Sequence, residues 1–358
     1  MGAFHRAHQA WYLNRLHALG ERDWTIVGAN LRPDMLDVEA ALGANGGEYT
    51  LEMASPDGGK EEERIRSISR ILPYHPDWKE IVRIGAAPST PVISFTVTEG
   101  GYEEGAPIFE VVARILEARS TPVTLLSCDN LRNNGERFRE GLLRRMGGAV
   151  DASFPSCMVD RITPKPLKPG RVLCERFAQW VIEDRFAAGR PPWEKVGVQM
   201  VESVAPYEEA KIRILNASHS ALGWGGALRG YRYVHECAAD PALRAIAHAY
   251  VTEEVLPCLA GSPLDLPAYR DEVLERFRNP HLKDTVERIC GNSPAKIRAF
   301  IAPNLAQRLR AGWPVRRSAE LAALYLRYAG SDVTQANLRP FSDDASFVDE
   351  VRRAVARP

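Results

Sequence analysis

Up to about residue 205 the chain alternates short apolar runs with amphipathic segments, and beyond it the short runs stop. "DWTIVGAN" (23–30), "TPVISFTVTEG" (90–100) and "STPVTLLSCDN" (120–130) are compact and apolar, as strands buried on both faces of a sheet are. Around them, "GAFHRAHQAWYLNRLHALG" (2–20), "RPDMLDVEAALGANGG" (32–47) and "GAPIFEVVARILEARS" (105–120) carry apolar residues at helical spacing and end near glycine or a polar turn. Strand, helix and strand in succession predict a Rossmann-like α/β fold with a largely parallel sheet. After the proline-rich "ITPKPLKPGR" (162–171) come two more strand-like runs, "RFAQWVIED" and "KVGVQMVES". From Pro206 onward nearly everything reads as helix. The expected organisation is an α/β domain over residues 1–205 and an all-α domain over 206–358.

The helix that opens the second half has an unusual face. In "KIRILNASHSALGW" (211–224), a turn of about 100° per residue puts His219 near 80° and Asn216 near 140° from Lys211. Ile212, Leu215 and Leu222 fall at about 100°, 40° and 20°, on the same arc. A solvated polar face would avoid those large apolar side chains. The three polar groups are therefore expected to be buried or to line a cleft, where each needs a partner.

Composition limits what such a cleft serves. Forty-six basic and 46 acidic residues cancel, so no charge footprint for nucleic acid or an anionic membrane is visible. Only eight of the basic residues are lysines, and arginine does not deprotonate, so basic proton chemistry falls to that small set. Six cysteines, at 128, 157, 174, 237, 258 and 290, form no CxxC pair and read as reduced, buried thiols. No apolar run approaches 18 residues and the first 20 residues lack a signal-peptide core. The expectation is a cytoplasmic, monomeric protein with no membrane or nucleic-acid partner.

Ligands of parallel α/β sheets lie beyond the carboxyl ends of the strands. There "WTIVGAN" runs into Asp34, an acceptor suited to a ribose hydroxyl. "VISFTVTE" ends in Thr98, Glu99 and two glycines, and "VTLLSCDN" ends in Cys128, Asp129 and Asn130. Taken singly, Asp34 reads first as an ordinary turn former, a reading weaker for Asn130, where three polar residues follow an apolar strand. Gly2, Ala3 and Phe4 resemble the glycine turn and helix start where backbone amides meet a pyrophosphate. His5 and His8 lie four apart with no acidic third ligand, so surface or capping roles are expected of them rather than metal binding.

Four stretches together, "GAFHRAHQAWYL", "SCDNLRNNGERFR", "MVDRITP" and "KIRILNASHS", resemble the polyol-specific long-chain dehydrogenases, the mannitol dehydrogenase family, over residues 2 to about 328. "WTIVGANLRPDM", "QWVIED", "PYEEAKIRILNASHS" and "GYRYVHE" are most similar to its D-arabinitol 4-dehydrogenase branch. The resemblance implies NAD as cofactor and a small polyol or ketose as substrate, D-arabinitol to D-xylulose before D-mannitol to D-fructose, with fructuronate reduction as an alternative. It implies Lys211 as proton-transfer residue and Asn216 with Asn130 as the amide pair facing the reacting oxygen. His219 would hold a substrate hydroxyl, Glu208 would lie on the proton path, and Arg288 and Lys296 would line the polyol site. The family places a strand and further glycines before "GAFHRAH", and this sequence begins after them. The expectation is therefore a nucleotide-binding domain short of its first strand, and a second class of reading is a relative without cofactor competence that binds sugars or serves as a structural remnant.

The chemistry agrees with those roles. Oxidising a secondary alcohol needs a base for the proton and an acceptor for the hydride. The cysteine and histidine spacings offer no zinc set, so no metal is expected. A lysine serves as base if burial lowers its pKa toward about 7–8. Asparagine amides then stabilise the developing alkoxide as an oxyanion hole does.

Overall fold

The computed structural model describes residues 1–166 and 168–356, apart from the side chain of Glu99. Its contacts divide the chain into two units, Met1–Ala54 with Lys60–Ala205 and Ser55–Gly59 with Pro206–Pro358.

The first unit is α/β. Its strands are β1 (Ile26–Gly28), β2 (Tyr49–Ala54), β3 (Lys60–Ile65), β4 (Ile68–Ile71), β5 (Val92–Phe95), β6 (Val123–Ser127), β7 (Ala152–Ser153), β8 (Cys157–Asp160), β9 (Arg171–Glu175), β10 (Gln179–Glu183) and β11 (Gln199–Val201). They pair in four small groups, β1-β4, β3-β2-β9, β5-β6-β7 and β11-β10-β8. Pairing is parallel throughout except for β2–β3 and β8–β10. The Rossmann-like expectation holds, with two antiparallel additions that the sequence reading did not contain. β3, "KEEERI", is charged and mostly exposed, so it carries no apolar signature, and only its register with β2, Tyr49 opposite Ile65, makes it a strand.

β6 is buried along its whole length because it pairs on both sides, with Val92 opposite Thr124 and Val123 opposite Ala152. Against it lies the helix Asn134–Met146, whose Phe138 ring sits 4.3 Å from Phe95 and 5.2 Å from Phe109. The start of that helix comes so close to the chain before β8 that a Cβ on Gly135 would lie 2.5 Å from Phe154 O. Glycine is required there by close approach.

The first helix differs from expectation. Residues 2–20 form two helices, Ala3–Ala7 and Gln9–Ala18, broken at His8, where φ is −124° and ψ −82°. His5 and His8 are buried, not surface or capping groups. His8 Nε2 lies 2.9 Å from Gln179 O and its ring packs on Phe4 and Trp180, so the break seats an imidazole in the core.

The second unit is helical. Its opening helix runs without interruption from Ala205 to Leu228, but Lys211–Asn216 within it is π-helical. Two further π-segments, Val251–Val255 and Ile297–Ile301, pack against this one. Trp224 is fully buried, donating from Nε1 to Ser293 Oγ at 2.8 Å, with Tyr325 at 5.1 Å. Tyr325 belongs to the helix Arg316–Ala329, whose first turn is capped by the buried Glu254 carboxylate, which accepts from the Arg317 and Ser318 amides at 2.6 and 3.0 Å. Such a cap satisfies amide N–H groups that a helix start leaves open. Among the described residues no helix is long and apolar enough to cross a membrane.

Candidate active site

The π-segment explains the polar face of the opening helix. In an α-helix Asn216 would lie about 140° around from Lys211. A π-turn closes five residues on, so Asn216 comes round to the face of Lys211. Glu208 precedes Lys211 by one turn and His219 follows Asn216 by another. Glu208, Lys211 and Asn216 are buried, and the His219 side chain is only 14% exposed. Asn216 Nδ2 is a buried donor with no hydrogen-bond acceptor among the described residues. Leaving such a group unpaired costs about 1–3 kcal/mol, and an oxygen of a bound molecule would remove that cost.

Around His219 the second unit assembles a charged set. The imidazole stacks on Phe277, with centroids 4.6 Å apart, and its Nε2 lies 3.5 Å from Asp284 Oδ2 without hydrogen-bond geometry. Asp284 is buried and accepts from Arg288 Nε at 2.7 Å and Nη2 at 2.6 Å. Burial alone would raise this carboxyl, but the neighbouring His219 and Arg288 outweigh it and hold it well below the usual carboxylate range. Burial lowers His219, more than Asp284 raises it, which favours the neutral ring. Thr285 Oγ1 caps the short helix Val286–Cys290 by accepting from Arg288 N, which fixes Arg288 one turn from Asp284. Lys296 Nζ donates to Ile289 O at 2.7 Å and to Arg288 O at 3.3 Å, so part of its donor capacity closes that helix.

The structure thus brings six of the expected residues into one unit: Glu208, Lys211, Asn216, His219, Arg288 and Lys296. Sequence reasoning missed Asp284 and Phe277. Asp284 left a signal in "KDTVERIC", where an acid precedes an arginine by four residues, the spacing of a helical ion pair. Phe277 left none. Among the described residues no three of His, Cys, Asp and Glu converge to hold a metal ion.

The nucleotide-site candidates belong to the first unit. Asp34 lies in the turn Pro33–Met35 after β1, paired with Arg32 at 3.0 Å and half exposed. Asn130 is exposed just after β6. Its neighbour Asp129, read from sequence only as one of three polar residues ending the strand, has a local task. Oδ1 accepts from Val97 N at 2.9 Å and Thr98 N at 2.7 Å, and Oδ2 accepts from Tyr102 Oη at 3.0 Å. These bonds hold Thr98 at φ 63° and ψ 179°, a region that glycine alone occupies easily. The Glu99 side chain lies outside the described residues. Gly2 caps the five-residue helix that holds Ala3 and Phe4. Asn134 completes the "SCDNLRNNGER" motif structurally, with Nδ2 donating to Asp129 O and Cys157 O, and Oδ1 accepting from Cys157 N.

Comparison with known proteins agrees over the whole chain. Residues 1–195 match the family described as the mannitol dehydrogenase Rossmann domain, and residues 203–356 match the mannitol dehydrogenase C-terminal domain. The D-arabinitol 4-dehydrogenase of Klebsiella pneumoniae is 45% identical over 91% of this chain and 82% of its own length. The mannitol 2-dehydrogenase of Cereibacter sphaeroides is 34% identical, with 100% and 86% covered. Among solved structures, Pseudomonas fluorescens mannitol 2-dehydrogenase in a ternary complex with NAD and D-mannitol superposes with a TM-score of 0.86 at 30% identity, covering 99% of this chain and 89% of that one. With both units matched in order and nearly half the residues shared with one relative, the chain belongs to the mannitol dehydrogenase family.

Proposed function

We propose that the protein oxidises a secondary alcohol of a sugar alcohol to the corresponding ketose with NAD, using Lys211 as general base and no metal ion. The observation that carries the reading is the buried π-turn, which sets Lys211 and the unpartnered Asn216 amide on one face. D-Arabinitol to D-xylulose is the first choice of substrate and D-mannitol to D-fructose the second, in keeping with the names of the relatives.

The residues of the first unit fit a dinucleotide in their chemistry. Gly2, Ala3 and Phe4 would offer backbone amides to the pyrophosphate, Asp34 would accept from the ribose 2′-hydroxyl, and Thr98 with Glu99 would border the site at the end of β5. When bound, NAD supplies the acceptor for the hydride. The chain's own groups do the rest. Lys211 takes the proton of the hydroxyl that becomes the carbonyl, and Glu208, one turn away, passes it toward solvent. Asn216 Nδ2 donates to the oxygen as negative charge develops on it. By motif, Asn130 supplies a second amide. His219, Arg288 and Lys296 bind the remaining hydroxyls of the polyol.

The test is a panel of pentitols and hexitols assayed with NAD and NADP before and after exhaustive chelation. The expected result is highest kcat/KM for D-arabinitol, preference for NAD and no loss on chelation. Activity lost to chelation and restored by zinc would contradict the lysine mechanism.

A further inference from the structure

We infer that Asp284 is a positioning residue that fixes the tautomer of His219 and the orientation of Arg288, so that the two meet a polyol as an acceptor and a donor. This rests on the polyol reading of the same site.

The inference starts from where Asp284 is held. Its backbone is pinned on both sides: Val234 N donates to Asp284 O at 2.9 Å and Val286 N donates to Arg232 O at 3.0 Å, around the bridge between Tyr233 and Thr285. The carboxylate is therefore set by main chain. It reaches two side chains from different helices, His219 on the opening helix and Arg288 on Val286–Cys290.

Consider His219 first. Its Nε2 lies 3.5 Å from an oxygen of the ionised Asp284 carboxylate. A lone pair on Nε2 would face that negative charge and be repelled, whereas an N–H would be attracted. The neutral ring therefore carries its proton on Nε2. Nδ1 is left as an acceptor, and among the described residues no hydrogen bond to it is formed. Stacking on Phe277 fixes the plane of the ring.

Arg288 has the complementary arrangement. Its Nε and Nη2 are both spent on Asp284 in a fork, which fixes the guanidinium plane. Nη1 remains to donate, and the side chain is 55% exposed. A diol unit of a polyol has one hydroxyl that can donate to Nδ1 and another that can accept from Nη1. Asp284 thus converts two cation-capable side chains into one acceptor and one directed donor. A ligand that only accepts hydrogen bonds, such as a ketone flanked by methyl groups, gains nothing from His219 in this state. The positioning therefore selects for hydroxyls beside the reacting carbon.

Two measurements test this. In the unsubstituted chain labelled with ¹⁵N-histidine, with His219 assigned by comparison with His219→Gln, the ring should be the neutral Nε2–H tautomer at neutral pH. The Nδ1–H tautomer, or a protonated ring, would overturn the inference. Asp284→Asn places an amide beside Nε2; its KM for the polyol should rise about tenfold or more, the loss of one well-placed hydrogen bond, while KM for NAD stays within twofold. An unchanged polyol KM would overturn it, as would an equal rise in both constants, which marks general disruption. If the unsubstituted chain oxidises no polyol, the proposed reaction fails, and the tautomer measurement still decides the role of Asp284.

Discussion

Asn216 places a buried amide donor where no described residue provides an acceptor, and native structures tolerate few such groups. Removing the group should therefore help the fold slightly and harm turnover badly. Asn216→Ala is expected to melt no lower than the parent protein, and to lose on the order of 10²–10³ in kcat, the loss that follows removal of one oxyanion donor. A kcat within tenfold of the parent, measured beside a thermal melt, would mean that the amide does not face the reacting oxygen. At this scale the sequence was informative about identities. Lys211, Asn216 and His219 stand out because polar groups on an apolar arc need a reason. Asp284 was harder to find because its second partner, His219, lies far away along the chain, and only the i,i+4 relation to Arg288 is local.

Among the elements, the opening helix departs from a uniform α-helical pitch within its polar face. A uniform pitch puts Asn216 about 140° from Lys211 on one broad arc, and the π-turn narrows that angle. No residue in "KIRILN" announces a π-turn; the segment packs on two other π-segments, which is tertiary information. The break at His8 was hidden for a similar reason, since the apolar spacing runs through it and the hydrogen-bonding contact to Gln179 comes from β10. The strand alternation and the switch to helix at residue 205 were legible from apolar runs, of which β6 is buried along its whole length, while β1 and β5 are only partly buried. One element carries its own prediction. The turn after β5 holds Thr98 in a glycine-like conformation through Asp129, at a cost of order 1–3 kcal/mol. Asp129→Ala should release that turn, raising KM for NAD while leaving polyol KM near its parent value. If the turn has no part in holding the nucleotide, KM for NAD will not move.

For the molecule as a whole, acid sensitivity follows from its buried imidazoles. Burial lowers His5 from 6.5 to about 3 and lowers His219 as well. The unfolded chain takes up protons that the folded one refuses, so stability is full above about pH 6.5 and falls as pH drops from there toward 3. Urea midpoints should decline across that window, and His5→Gln should flatten part of the decline; an identical slope in the variant would exclude His5 as a cause. The central claim concerns Lys211, and steady-state polyol oxidation by Lys211→Ala across a range of pH tests it most directly. The parent rate should rise with pH and level off once the lysine is neutral. The variant should keep its fold and its KM for NAD, lose several powers of ten in kcat and lose that pH dependence. A variant within about tenfold of the parent that keeps the same pH profile would show that Lys211 is not the base.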